Sequence, residues 1–142
     1  MRSAIVLLFA VSLSVAAPVP KALKAKTDAE LLEGRWVRES IDDGSGPKPD
    51  ASRWVEVKDG QMTAGDSAGQ EQVIRATFTL DATQSPKQIN VSWSHFGTTM
   101  SYIYKLDGDT LTWCHAQDNQ PRPTDFKGGG GRYCIVYKRV KE

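Results

Sequence analysis

The clearest signal along the chain is an alternation of apolar and polar positions with a period of two. Ile74, Ala76, Phe78 and Leu80 are separated by polar residues, as are Ile89, Val91, Trp93 and His95. Successive side chains of a strand point to opposite faces, so this period predicts strands with one face turned to a core. Eight segments qualify: 35–42, 53–58, 61–65, 71–80, 88–95, 99–107, 110–116 and 132–140. Ahead of them, 28–33 reads as a single helical turn that Asp28 can cap and Gly34 ends. No later window holds an apolar period of 3.6 residues long enough for a second helix. The expected class is all-β.

Turn chemistry sharpens the register. Gly108-Asp109 suits a two-residue hairpin loop with glycine where φ must be positive. That turn sets Leu106 opposite Leu111, Tyr104 opposite Trp113 and Tyr102 opposite His115. Asp59-Gly60 sets Val57 opposite Met62 and Val55 opposite Ala64. A slip of one residue would reverse every side chain, so the agreement of both turns with the alternation argues for a meander. In such a meander the two longest connections, 43–52 and 117–131, fall at the same end. Eight strands can close into a barrel that holds side chains or one small ligand, and closure removes exposed edges. The expected architecture is an eight-stranded antiparallel up-and-down barrel with a short N-terminal helical turn.

The N-terminus departs from this pattern. Met1-Arg2-Ser3 supplies a positive start, and residues 4–17 form a run of apolar and small residues. The run is too short to span a bilayer but suits the core of a signal peptide. Ser14, Ala16 and Ala17 offer a cleavage site, placed after Ala16 because a cut one residue later would put Pro18 against the peptidase. The expected organisation is a signal peptide at 1–16, a polar leader at 17–27 and one barrel domain at 28–142, exported to a periplasmic or extracellular space. No stable membrane association is expected once the signal is removed.

With 142 residues the chain suits one domain. Its formal net charge of +1, which falls to zero with the loss of Arg2, gives no electrostatic case for nucleic acid. Two cysteines are too few for a disulfide scaffold. If Trp113 pairs with Ile135 and Leu111 with Tyr137, however, Cys114 faces Cys134 across the last hairpin, on the outer face. Antiparallel partners lie within disulfide range, and export meets an oxidising compartment. A disulfide is expected, with two unlinked cysteines as the alternative.

Parity turns Phe78, Trp93, His95, Tyr102, Tyr104, Trp113, His115 and Tyr137 inward, and these are the candidate binding residues. Aromatics with polar tips can line a pocket for an apolar or amphipathic molecule. The same set also fills a small barrel. The residues alone lean to the filled core, and a cavity above about 300 Å³ would decide for the pocket. His95 and His115 end strands at the long-loop end, where the residues 43–52 and 117–131 would frame a mouth. Two histidines fall short of the ligands a zinc site needs, so rim positions are expected rather than a metal site. Gly128 to Gly131 lacks the Gly-Lys-Ser/Thr that completes a phosphate loop and reads as a flexible tip. Phe126 is expected to anchor the long loop onto the barrel, with Arg122 pairing an acid. No acid–base–nucleophile set can be assembled, so no catalysis and no cofactor are expected.

Gly34-Arg35-Trp36, at the start of the first strand after a helical turn, resembles the Gly-x-Trp signature of lipocalins. That resemblance implies a tryptophan closing the barrel floor with a basic residue of the last strand packed on it, here Trp36 and Arg139. The Thr-Asp-Tyr signature of true lipocalins has no counterpart, since Thr124-Asp125-Phe126 lies in another connection. As a set, Leu32 to Trp36, Tyr104 to Leu111 with Cys114, Arg122-Pro123-Thr124 with Phe126, and Lys138-Arg139 resemble small secreted lipocalin-like domains of planctomycete bacteria, over roughly residues 30–141. The resemblance implies the fold and export, and no particular activity. The expected role is therefore binding of a small apolar or amphipathic ligand inside the barrel. The alternative is a solid-core module that acts on a protein partner through its surface, for example as an inhibitor.

Overall fold

A computed structural model describes residues 24–67 and 73–141. The expected signal peptide and the expected leader up to residue 23 lie outside the described residues. Helix α1 (Asp28–Leu32) is followed by β1 (Gly34–Asp42), β2 (Pro47–Pro49), β3 (Arg53–Lys58), β4 (Gln61–Asp66) and β5 (Ile74–Asp81). Then come β6 (Lys87–Trp93), β7 (Thr99–Asp107), β8 (Thr110–Ala116) and β9 (Arg132–Arg139). All neighbours pair antiparallel, and β1 also pairs with β9, which closes an eight-stranded barrel. The start expected for the fourth sequence segment, at Glu71, is outside the described residues.

The expected hairpin registers are all present. Val57 pairs with Met62 and Val55 with Ala64; Leu106 pairs with Leu111, Tyr104 with Trp113 and Tyr102 with His115. Asp59, Gly60 and Gly108 take positive φ at the two turns. The one strand not anticipated, β2, lies in the first long connection and pairs with the mouth end of β1. Pro47 and Pro49 suit such an edge, where a missing N–H breaks no ladder.

The N-cap is Thr27, not Asp28. The Thr27 hydroxyl accepts from the Glu30 N–H, and the Glu30 carboxylate accepts from the Thr27 N–H, a reciprocal capping box. Asp28 is thereby free to turn under the barrel, where its carboxylate accepts from Lys87 Nζ at 2.7 Å and from the Tyr104 hydroxyl at 2.7 Å. The helix thus seats Leu32, fully buried, in the floor beside Trp36, Val57, Met62 and Leu111. The Trp36 indole N–H donates to Leu32 O at 2.9 Å. Among the described residues no helix is long and apolar enough to cross a membrane.

On the outer face, Cys114 and Cys134 are direct cross-strand partners with sulfurs 1.95 Å apart, at disulfide distance. Ile103 and Phe126 cover them, forming a small second core outside the barrel wall. Phe126 therefore anchors the long β8–β9 connection, as expected. Arg122, in contrast, pairs with no acid among the described residues: its guanidinium donates to the carbonyls of Ile89 and Tyr102 and, at 2.6 Å, to Asn90 Oδ1. The loop runs down the outside of β6 and β7. Its glycines are also not a free tip. A Cβ on Gly128 would collide with the Asp42 carbonyl, and one on Gly44 with the Gly129 backbone, so the two long loops touch through glycine.

Candidate functional site

Inward side chains form rows around the barrel, set by the cross-strand pairing. One row joins Ile89, Tyr102, His115 and Tyr133, the last three of which line the mouth. Below them lie Tyr104, Trp113, Ile135 and Ile41, and below those Leu106, Leu111, Tyr137 and Arg38. A register shift at Glu39 separates Arg38 from Ser40, so Arg38 and Ile41 face inward although three residues apart.

The floor half of this interior is solid and the mouth half is not. A cavity of about 920 Å³ opens there, within the size range of small-molecule sites. Six of the eight candidate residues line it: Trp93, His95, Tyr102, Trp113, His115 and Tyr137. Two do not. Tyr104 is buried below it, held by Asp28, and Phe78 packs half-buried against the core. The interior is thus neither wholly filled nor wholly open.

The rim also differs from expectation. No residue of 43–52 or 117–131 lines the cavity, because β2 folds back along β1 and Arg122 with Phe126 draws the other loop outward. Part of the rim comes instead from the short β6–β7 turn, through His95 and the exposed Phe96. β6 stops at Trp93 rather than reaching His95, because the N–H groups of Phe96 and Gly97 fold back onto Trp93 O. His95 therefore sits on a turn, edge-on to Phe96 at 5.3 Å.

His115 is the more enclosed imidazole, stacked on Tyr133 at 5.5 Å and tilted against Tyr102 at 5.1 Å. Burial pushes its pKa below the ordinary histidine value, opposed only in part by the Ala116 carbonyl beside Nδ1. Burial likewise pushes the phenol of Tyr137 up, so it stays a neutral hydroxyl. Among the described residues no group of three or more His, Cys, Asp or Glu side chains is placed to hold a metal ion.

Sequence reasoning missed six polar or aromatic members of the wall: Arg38, Arg53, Trp54, Asp66, Phe96 and Tyr133. Parity offered four of them. Arg38 is two residues beyond Trp36, Arg53 two before Val55, Asp66 two beyond Ala64, and Tyr133 four before Tyr137. The Arg38 guanidinium is held on one edge by Asp50 and by Ser52 Oγ at 2.9 Å. Its Nε, and the indole nitrogen of Trp113, are buried with no hydrogen-bond partner among the described residues.

The molecule defined by this fold and cavity is a closed eight-stranded antiparallel barrel, compatible with a lipocalin-like fold, with a roomy mouth. No family model matches the chain, and neither does any curated protein or solved structure.

Proposed function

We propose that this chain is an exported, non-catalytic binding protein that takes a small apolar or amphipathic molecule into the mouth half of its barrel. The cavity carries this reading. A space of about 920 Å³ walled by aromatic rings is open at one end and stopped at the other by Trp36 and Leu32. Leaving that much apolar wall uncovered forgoes the packing that stabilises the floor, and a bound molecule would restore it. The solid-core alternative needs a filled interior, and here only the floor half is filled. Export is supported by the Cys114–Cys134 pair, since such bonds persist in oxidising compartments, and by the signal-like N-terminus. The overall likeness to small secreted lipocalin-like bacterial domains points the same way.

Native mass spectrometry of protein purified from its source tests the reading. A retained small molecule, released on unfolding, is the expected result. Protein that carries none and does not quench its tryptophan fluorescence with apolar compounds would count against a binding role.

A further inference from the structure

The chain has two histidines, and both line the same cavity. β8 brings His115 into the mouth row, half-buried between the rings of Tyr102 at 5.1 Å and Tyr133 at 5.5 Å. The β6–β7 turn brings His95 to the rim, exposed and edge-on to Phe96. Imidazole is the side chain whose ordinary titration falls between about pH 5 and pH 8. A wall that carries both imidazoles changes its charge in that range, and the occupant of the space must respond.

Desolvation fixes the direction of the response. The open end lets water reach the ring of His115, whose Nδ1 lies 3.3 Å from the Ala116 carbonyl. An uncharged molecule lying against the ring displaces that water and offers no charge in exchange. The imidazolium is therefore costlier with ligand bound than without, and ligand and proton compete. Burial already works against the proton before any ligand enters. The other titratable or charged groups of the wall are Tyr102 from β7, Tyr133 and Tyr137 from β9, Arg38 from β1, Arg53 from β3 and Asp66 from β4. Phenols ordinarily titrate near pH 10 and guanidinium keeps its charge, so neither type responds to mild acid. Protonating a carboxylate makes a wall less polar, so any contribution from Asp66 would favour an apolar occupant and run the other way.

We propose that the cavity releases an uncharged ligand on mild acidification, through proton uptake at His115 and, to a smaller extent, at His95. This rests on the cavity being a binding site and adds the regulation of that site.

The test is titration of the full chain with phenylnaphthylamine, an uncharged fluorescent probe, at about pH 7.5 and about pH 5, on either side of the imidazole range. Far-UV circular dichroism checks the fold at both. Affinity is expected to fall about fivefold; a proton wholly excluded by the ligand would give about tenfold per pH unit below the histidine's free value. His115→Gln should remove most of that fall, whatever its affinity at neutral pH, and His95→Gln a smaller part. If the variant, or the parent at the lower pH, does not stay folded, calorimetry of the unaltered protein at about pH 6 in two buffers of different ionisation heat decides, with proton release on binding expected. Equal affinity at both pH values, proton uptake on binding, or a His115→Gln variant that keeps the full dependence overturns this inference and leaves the cavity as a binding site. A probe that binds at neither pH removes both.

Discussion

The guanidinium of Arg139 lies 4.1 Å above the Trp36 ring, and the two residues are direct partners where β1 meets β9. The seam that closes the barrel is therefore also the seam that plugs it. Arg139 donates to the carbonyls of Glu33 and Leu31 as well, so one side chain ties α1, the floor indole and the last strand together. The adjoining Gly34 has φ +121°, and a Cβ there would lie 2.9 Å from Arg139 Nη1, which explains the glycine two residues before the tryptophan.

Replacing Arg139 should loosen this whole end. Arg139→Ala is expected to lower the unfolding free energy by about 2–3 kcal/mol, through two charge-assisted hydrogen bonds and the stacking contact. Arg139→Lys keeps the charge but not the planar stack and should recover only part of that. Urea denaturation followed by tryptophan fluorescence measures both; a lysine variant equal to the parent would show that charge alone matters.

The Cys114–Cys134 bond closes a separation of 20 residues, and its loss should cost roughly 3 kcal/mol by loop entropy. Both cysteines are buried under Phe126, so reductant should act slowly on the folded protein. Phe126→Ala is expected to speed reduction without altering the barrel's far-UV circular dichroism. Counting thiols over time in native buffer checks this, and equal rates in both proteins would mean Phe126 is no shield.

What was legible in the sequence follows a physical divide. The hairpin registers, the cross-strand cysteines and the inward aromatics all derive from local rules, since a two-residue turn and a period of two fix which side chains meet. The capping box was equally readable in Thr27 and Glu30, and reading Asp28 as the cap hid its place under the floor. The direction of the long β8–β9 loop was not readable in this way. Arg122 is held by the backbone carbonyls of Ile89 and Tyr102, which any residue supplies, so no sequence pattern marks its partners. Arg38 was passed over for a related reason: parity with Trp36 turns it inward, but a charged residue inside a barrel is exceptional, and only the Asp50 pairing shows how its charge is accommodated there.

Arg122 can be tested as a strap. Arg122→Ala removes three hydrogen bonds to β6 and β7 and is expected to cost about 1–3 kcal/mol. Limited proteolysis should then cut within 117–131 first, where the parent resists. Because this loop contributes nothing to the cavity wall, quenching of tryptophan fluorescence by small apolar compounds should be unchanged. A change in that quenching would show that the loop reaches the mouth after all.

His115 should make stability fall on mild acidification. Its folded-state pKa lies below the ordinary value because burial disfavours the imidazolium, so the unfolded chain binds the proton more readily. The stabilisation from keeping it neutral is complete above the unfolded value, about pH 6.5, and is lost as pH falls through that value toward the lower folded one. The groups packed against it are the rings of Tyr102 and Tyr133 and the Ala116 carbonyl. His115→Gln, which cannot titrate, should flatten the dependence between about pH 7 and pH 5. The urea midpoint at each pH measures it. A variant with the same slope as the parent would assign the acid sensitivity to another group.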